Sequence, residues 1–310
     1  MKKITALLLL IALAAAMLAG CSFSAEAEDD KLSIVVTDFP CYDFVRAVAG
    51  DNADIVMLIK PGSEVHSYEP SPSDVLAMTE ADMFIYIGGE SDSWVDGMLS
   101  SIGSDAPRTL RMFGCVDGLE DGSHDHEHHE DGHDHAYDEH IWTNPMYAVQ
   151  MVEAVVAELI AIDPANEAVY RANADGYIAE ILEIDAAIRE LTANGARTEL
   201  VFGDRFPFLH LACEYGLTYS AAFPGCAAET EPSAQTIMML IEKVLEEDIP
   251  VVYVIEMSTG NVASAIAEET GAEIVVLHSI QNVTADEFNA GETYVSIMWK
   301  NVEALRKGLY

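Results

Sequence analysis

Residues 163–195 read DPANEAVYRANADGYIAEILEIDAAIRELTANG and decide how the rest of the chain is organised. Asp163-Pro164 predicts a helix start, because aspartate caps helices and proline suits the first turn. Asn194-Gly195 is a stop signal. Between them the apolar residues recur at steps of four and three, which predicts one long helix with a single buried stripe: Tyr170, Ala174, Tyr177, Ile181, Ile184, Ile188 and Leu191. Such a helix spans on the order of 45 Å.

The segments on either side of this helix alternate between strand and helix patterns. Before it, strand patterns cover residues 32–36, 55–59 and 83–87, and helix patterns cover 42–48, 72–79 and 94–102. After it, strand patterns cover 200–202, 219–223, 251–255 and 274–277, and helix patterns cover 233–247, 263–269 and 294–309. This alternation predicts parallel sheets with helices on both faces. We therefore predict two α/β lobes, residues 31–162 and 196–310, bridged by one long rigid helix at 163–195.

The start of the chain indicates export. Lys2 and Lys3 precede a short apolar run, and small residues follow before Cys21, a pattern typical of a secretory signal at residues 1–20. The run is shorter than the roughly 20 residues of a membrane-spanning helix. Its ending, LAGC, resembles a bacterial lipobox, so we expect lipid on Cys21, with residues 21–30 as a tether. Several lipid chains hold a protein on a bilayer.

The composition narrows the function classes. The formal net charge is −38, and hydrophobic residues make up 50% of the chain, so the body is globular. Such a negative field repels nucleic acid and attracts cations. Cysteines Cys41, Cys115, Cys213 and Cys226 allow three full pairings, and we expect at least one disulfide. No CxxC motif occurs, which argues against a thiolate zinc site.

The histidines are the main candidate ligands for a metal ion. Six of the ten lie in a segment without apolar periodicity, residues 122–137, namely His124, His126, His128, His129, His133 and His135. Imidazoles interleaved with carboxylates bind zinc, copper or nickel, and the pattern predicts a surface loop with several weak sites. His66, His140 and His278 instead fall at the mouths of α/β units, where open sheets bind ligands. His210 falls in a helix pattern, for which a structural role is the simpler interpretation.

Three segments resemble the metal-binding solute receptors of ABC importers: PGSEVHSYEPSPSD at 61–74, DEHIWTNP at 138–145, and HSIQNVTADEFNAGETYVSIMWKNVEALRKGL at 278–309. The histidine-rich segment before DEHIW resembles the zinc members in particular. The resemblance covers the chain from about residue 32 to its end. It implies two lobes bridged by a rigid helix, with the metal site in the cleft between them.

The resemblance also implies a ligand set. The histidines of the first two motifs are ligands in that family, which places these roles on His66 and His140. The position near the last strand, usually aspartate, is His278 here. The remaining ligand follows the first strand of the second lobe, where Asp204 is the nearest suitable side chain; Glu229 and Glu256 are alternatives. Three imidazoles and one carboxylate suit four-coordinate zinc, whereas manganese prefers more oxygen ligands.

The function implied is capture of Zn²⁺ outside the cytoplasm and delivery to the permease and ATPase of an ABC importer. A manganese or iron receptor of the same family is the nearest alternative, and a metal-dependent adhesin a more distant one. A closed four-ligand set argues against catalysis, which needs an open metal position; no GxSxG elbow occurs. For the histidine-rich loop, zinc scavenging and sensing of zinc excess both stay open.

Overall fold

The computed structural model describes residues 31–117, 119, 138–223 and 232–310. The predicted signal and tether, Cys21, the histidine-rich loop, Cys226 and Glu229 therefore lie outside the described residues. Within them, the two parallel sheets predicted from the sequence are present, each with four strands.

The first lobe contains the three predicted strands and three predicted helices in their predicted order, together with a strand and a helix for which no span was predicted. Its elements are β1 (Leu32–Val36), α1 (Phe39–Ala49), β2 (Ala53–Met57), α2 (Pro72–Glu80), β3 (Met83–Tyr86), α3 (Trp94–Ile102) and β4 (Arg108–Arg111), and α4 (Pro145–Ile162) completes the lobe. The sheet order is β2-β1-β3-β4 and all pairings are parallel. Every residue of the inner strand β3 is buried, as expected for a sheet covered on both faces.

The second lobe repeats this arrangement. Its elements are β5 (Glu199–Phe202), α6 (Leu209–Tyr215), β6 (Thr218–Ala221), α7 (Ala234–Glu246), β7 (Val251–Val254), α8 (Asn261–Thr270), β8 (Glu273–Val276), α9 (Ala285–Ala290) and α10 (Tyr294–Leu309). The sheet order, β6-β5-β7-β8, is again all parallel. The inner strand β7 is buried throughout.

The long connecting helix, α5, runs from Glu167 to Asn194 after a 3-10 turn at Pro164–Asn166. It starts four residues later than predicted, because the Asp163 carboxylate bonds to the Asn166 amide at 2.6 Å and to the Tyr170 hydroxyl instead of capping an α-helical turn. Six of the seven stripe residues are buried and Tyr177 is half-buried, so the periodicity prediction is confirmed. The helix packs against α1 and α4 of the first lobe and α10 of the second.

Local capping explains where the helices near the cleft begin. Ser71 and Asp74 form a capping box at the start of α2, with Pro72 in the first turn, and the helix begins at the first residue of the predicted 72–79 pattern. Asn144 caps α4 in the same region by accepting from the Met146 N–H. Among the described helices, α4 alone is long and apolar enough to cross a membrane by length and composition. Its apolar face packs against α1 and α5 in the core.

The carboxyl ends of the two sheets face each other, and the segment after β8 connects them. Asn282 donates to the carbonyls of Lys60 and Ser63, at 2.9 and 2.8 Å. The Trp142 indole N–H donates to the Ser279 carbonyl at 2.7 Å. These bonds join the loop that carries His66 and the turn that carries His140 to the second lobe.

Candidate metal site

His66, His140 and Glu139 form the centre of the candidate site. Each offers one potential ligand atom, and these atoms all lie within 4.8 Å of one another. The two imidazole centroids are 6.3 Å apart. Glu139 and His140 are buried, whereas the His66 side chain is 18% exposed and reaches the cleft. This is the only cluster of three or more such ligands in the part of the chain that the structure describes.

The His140 ring is oriented by the carboxylate two residues before it. Asp138 Oδ1 lies 2.8 Å from His140 Nδ1 and also accepts from the His140 backbone N–H at 2.9 Å. A carboxylate only accepts, so Nδ1 carries the proton and the lone pair of the neutral ring is on Nε2. Burial would raise the pKa of Asp138, but the neighbouring His140 and the hydrogen bonds outweigh burial and lower that pKa. His210 Nε2 bonds to the Asp138 carbonyl oxygen at 2.8 Å.

His66 is held from the loop after β3. Its Nδ1 lies 2.8 Å from the Ser91 hydroxyl, which also bonds to Glu139 Oε1. Burial lowers the pKa of His66; Glu139 opposes this shift, and the nearby His140 adds to it. A lowered pKa keeps the ring neutral at neutral pH, which is the form that binds a metal ion.

Asp204 faces the same cleft from the second lobe. It follows β5 and, with His66, lines a cavity of about 330 Å³ between the lobes. Asp204 is only 8% exposed, and its carboxylate accepts from two backbone N–H groups, those of Arg205 at 2.8 Å and Ile255 at 3.3 Å. Gly203 makes this seat possible, because a Cβ there would lie 2.5 Å from the backbone of Ala263 in α8.

His278 lies in a separate buried setting of the second lobe. Its Nδ1 accepts from the Ile280 N–H at 2.9 Å, so the proton of the neutral ring is on Nε2, 3.8 Å from Glu287. That separation is too long for a hydrogen bond, and it makes an ion pair only when the ring is protonated. Burial disfavours the charged ring, but Glu256 and Glu287 outweigh it and raise the pKa of His278. Only Nδ1 is engaged by a hydrogen bond, and the buried Nε2 has no hydrogen-bond partner among the described residues. Because the proton of the neutral ring is on Nε2, the ring offers a lone pair to a metal ion only if it gives up the Ile280 N–H.

The predicted site residues are therefore only partly brought together. The structure groups His66 with His140, and Asp204 lines the cleft beside them. His278 is absent from that group of described residues, and Glu256 accepts from the backbone N–H and hydroxyl of Ser279. The four-ligand set stays a prediction. No disulfide joins any two of the described cysteines, Cys41, Cys115 and Cys213; a bridge to Cys226 is untested.

Sequence reasoning did not single out Glu139, Ser91 or Gln281. Glu139 stands in the DEHIWTNP motif, directly before His140. A charged residue next to a predicted ligand was the available signal that it belongs to the site. Ser91 and Gln281 are 48 and 142 residues from Glu139 in the chain, and both bond to its carboxylate. No local pattern predicts contacts over such separations.

Two α/β lobes joined by a long helix, with a histidine–carboxylate cluster at their cleft, define a solute-binding receptor of the metal-binding class. The chain belongs to the family described as zinc-uptake complex component A, periplasmic, whose sequence model matches residues 34–308.

Relatives and solved structures agree with this membership. The chain is 34% identical to the zinc-binding lipoprotein AdcA of Streptococcus pneumoniae over 99% of its own length and 61% of that protein. It thus spans about three fifths of that relative. It is 32% identical to the high-affinity zinc uptake system protein ZnuA of Bacillus subtilis, over 92% of this chain and 90% of that protein. The crystal structure of the Zn(II)-bound ZnuA-like domain of S. pneumoniae AdcA superposes with a TM-score of 0.76 at 31% identity, covering 90% of this chain and 99% of that domain.

Proposed function

We propose that this protein captures Zn²⁺ in the cleft between its lobes and delivers it to the permease and ATPase of an ABC importer. One observation carries the proposal: His66 and His140 bring potential ligand atoms within 4.8 Å of one another, and each ring has Nδ1 bonded to an oriented oxygen partner, so that the lone pair of the neutral ring is on Nε2, the atom proposed to bind the metal ion. The names of the relatives, a zinc-binding lipoprotein and a zinc uptake protein, support zinc as the cargo.

The ligand set that we propose begins with His66 and His140. Asp204, on the opposite wall, is the proposed carboxylate, since it lines the same cavity as His66. Neutral imidazoles with a carboxylate suit zinc, with bonds of about 2.0–2.2 Å. His278, the fourth predicted ligand, serves only if its ring gives up the Ile280 N–H, so we rank it below Asp204.

The proposal places the protein outside the cytoplasm, held on the membrane by lipid at Cys21 after removal of residues 1–20. The LAGC ending supports this location, as does the naming of one relative as a lipoprotein. The acidic tether at 21–30 would keep the receptor near its permease.

The proposal assigns the site to capture and release, without a catalytic step. One spacing in the histidine-rich loop, HEDGH at residues 129–133, does match the HExxH pattern of zinc metalloproteases. That pattern acts only where a helix puts both histidines on one face. Here it contains a glycine and lies in a stretch without apolar periodicity, which argues against a metalloprotease site.

The test is metal analysis of the full chain, purified from membranes in mild detergent, followed by competition titrations with Zn²⁺ and Mn²⁺. We expect one tightly bound Zn²⁺ per chain, together with weaker sites, and displacement of Mn²⁺ by Zn²⁺. A chain lacking residues 124–135 is the matched control, because it removes six of the ten histidines and should keep the tight site. Preferential binding of Mn²⁺, or the absence of any tight metal site, would contradict the proposal.

A further inference from the structure

Glu139 is a buried carboxylate whose hydrogen bonds lead to a metal-binding histidine. Its Oε2 accepts from the Ser91 backbone N–H at 2.8 Å, and its Oε1 accepts from the Ser91 hydroxyl. Gln281 of the second lobe donates to the same Oε1 at 3.3 Å. Buried carboxylates are costly unless they are paired or hydrogen-bonded, and these three donors supply the hydrogen bonds that this carboxylate needs.

The loop after β3 is shaped around this carboxylate. A Cβ at Gly89 would lie 2.1 Å from Glu139 Cβ and 2.3 Å from Oε2, so no other residue fits there without displacing the glutamate. Asp92 accepts from the Gly88 N–H at 2.9 Å and closes the loop. The loop thereby presents the Ser91 N–H and hydroxyl to Glu139 together.

The Ser91 hydroxyl bridges Glu139 and His66. It lies 2.8 Å from His66 Nδ1, whereas Glu139 Oε1 is 3.6 Å from that nitrogen, which is too long for a direct hydrogen bond. A hydroxyl has one proton to donate, and an ionised carboxylate can only accept. Ser91 therefore donates to Glu139 and accepts from His66, which requires the proton of the neutral imidazole to be on Nδ1.

We propose that Glu139 is a positioning residue that acts through the Ser91 hydroxyl to hold His66 with its proton on Nδ1 and its Nε2 lone pair turned to the cleft. Asp138 does the same for His140 by direct contact. Two consecutive acids thus orient two histidines that are 74 positions apart, one directly and one through a serine. The inference rests on the proposed function only in taking Nε2 as the metal-binding atom. Partners that hydrogen-bond the second nitrogen of a metal-ligating histidine typically contribute 10–100-fold in metal affinity.

The alternative role for Glu139 is direct ligation, because its carboxylate lies within the same 4.8 Å cluster. The hydrogen bonds favour positioning. Oε1 already accepts from Ser91 and Gln281, and Oε2 accepts from a backbone N–H, so both oxygens face donors of the protein.

The first test uses the metal-free protein, so that it does not depend on zinc binding. Imidazole ¹⁵N chemical shifts distinguish which ring nitrogen carries the proton. We expect His66 on the Nδ1–H tautomer in the wild-type chain and in Ser91→Thr, which keeps the hydroxyl, and a large Nε2–H population in Ser91→Ala. Ser101→Ala is the matched control, since Ser101 lies at an exposed position of α3 and donates to the Gly97 carbonyl of the same helix. An unchanged tautomer in Ser91→Ala would overturn the proposal.

The second test separates positioning from ligation by a double-mutant cycle on zinc affinity. We expect Ser91→Ala and Glu139→Gln each to weaken binding about 10–100-fold, and the double variant to be no weaker than the worse single one. If the two single losses of zinc affinity multiply in the double variant, Glu139→Gln weakens binding just as much without the Ser91 hydroxyl as with it. That result would identify Glu139 as a ligand and overturn the inference. Failure of the proposed function is distinct, because the wild-type chain would then bind no zinc tightly while the tautomer result stood.

Discussion

The two walls of the cleft differ in how their polar side chains are satisfied. On the first lobe, His66 and His140 each have Nδ1 bonded to an orienting oxygen, which fixes the lone pair of the neutral ring on Nε2. On the second lobe, Asp204 and His278 accept from backbone N–H groups of their own lobe. The first wall is thus preorganised for a cation, whereas much of the second is engaged in holding its own loops. We infer that affinity for the metal is concentrated on the first wall.

This difference predicts that substitution of either histidine of the first wall causes the largest loss of zinc affinity. His140→Ala and His66→Ala should each weaken Zn²⁺ binding by more than about 100-fold, which exceeds the usual effect of losing an orienting partner. His140 should be the more severe, because it is the more deeply buried of the two. Calorimetry in the background lacking residues 124–135 measures the tight site alone. Wild-type affinity in either variant would remove that histidine from the site.

The second wall allows a sharper comparison between its two candidate ligands. Asp204→Asn should weaken zinc binding at least about tenfold, because the carboxylate lines the cavity. A tenfold loss of affinity corresponds to about 1.4 kcal/mol of binding free energy. Asp175→Asn, exposed on α5, is the matched control.

His278→Ala should leave zinc affinity within about threefold but lower the free energy of unfolding by about 1–3 kcal/mol, since buried groups lose their partner. The buried Ile280 N–H would lose its acceptor, and Glu256 and Glu287 would lose a polar neighbour at 3.5 and 3.8 Å. Chemical denaturation measures the free energy of unfolding, and calorimetry on the same preparation measures the zinc affinity. Loss of the tight site in His278→Ala would return this histidine to the ligand set.

The sequence predicts the inner parts of this fold better than its edges. Strands β1, β3 and β7 and the long helix carry continuous or periodic apolar patterns, and their predicted spans match the structure closely. The edge strand β4, with the sequence RTLR, was not predicted, because three of its four residues are exposed and charged or polar. The six-residue α9 was also missed, since a helix this short shows no periodicity.

The candidate site was also predicted only in part. His66 and His140 were predicted because each lies in a local motif at a strand end, and the structure brings them together. The role of Glu139 depends on Ser91 and Gln281, which only the folded chain brings close. The engagement of His278 by Ile280 is a matter of local backbone geometry: Ile280 adopts a left-handed φ of 65°, which residue type alone does not predict.

A smaller effect is expected from pH. Metal-bound imidazoles must be neutral, so protons compete with zinc below the histidine pKa. Because burial lowers the pKa of His66 from its ordinary value of about 6.5, zinc affinity should stay nearly constant from pH 8 to about 6.5 and fall only below it. Titrations in buffers matched for ionic strength check this. A decline that already begins between pH 8 and 7 would indicate that a group of higher pKa, outside the first wall, controls binding.

The smallest effect on the tight site is expected from removal of the histidine-rich segment, residues 124–135. Its composition predicts several weak zinc sites, because ordering a segment without periodicity costs about 1–2 kcal/mol per residue fixed. The deletion should therefore reduce zinc stoichiometry while leaving the affinity of the cleft and the unfolding curve unchanged.

If the segment scavenges zinc, uptake by cells carrying the deletion slows at limiting zinc; if it senses excess, uptake at high zinc is unchanged or faster. We favour scavenging, because the net charge of −38 already concentrates cations around the chain, and the dense set of imidazoles a few positions before Asp138 in the sequence would add binding sites for them. Survival of the weak sites after the deletion would exclude both roles, since the weak sites would then lie elsewhere.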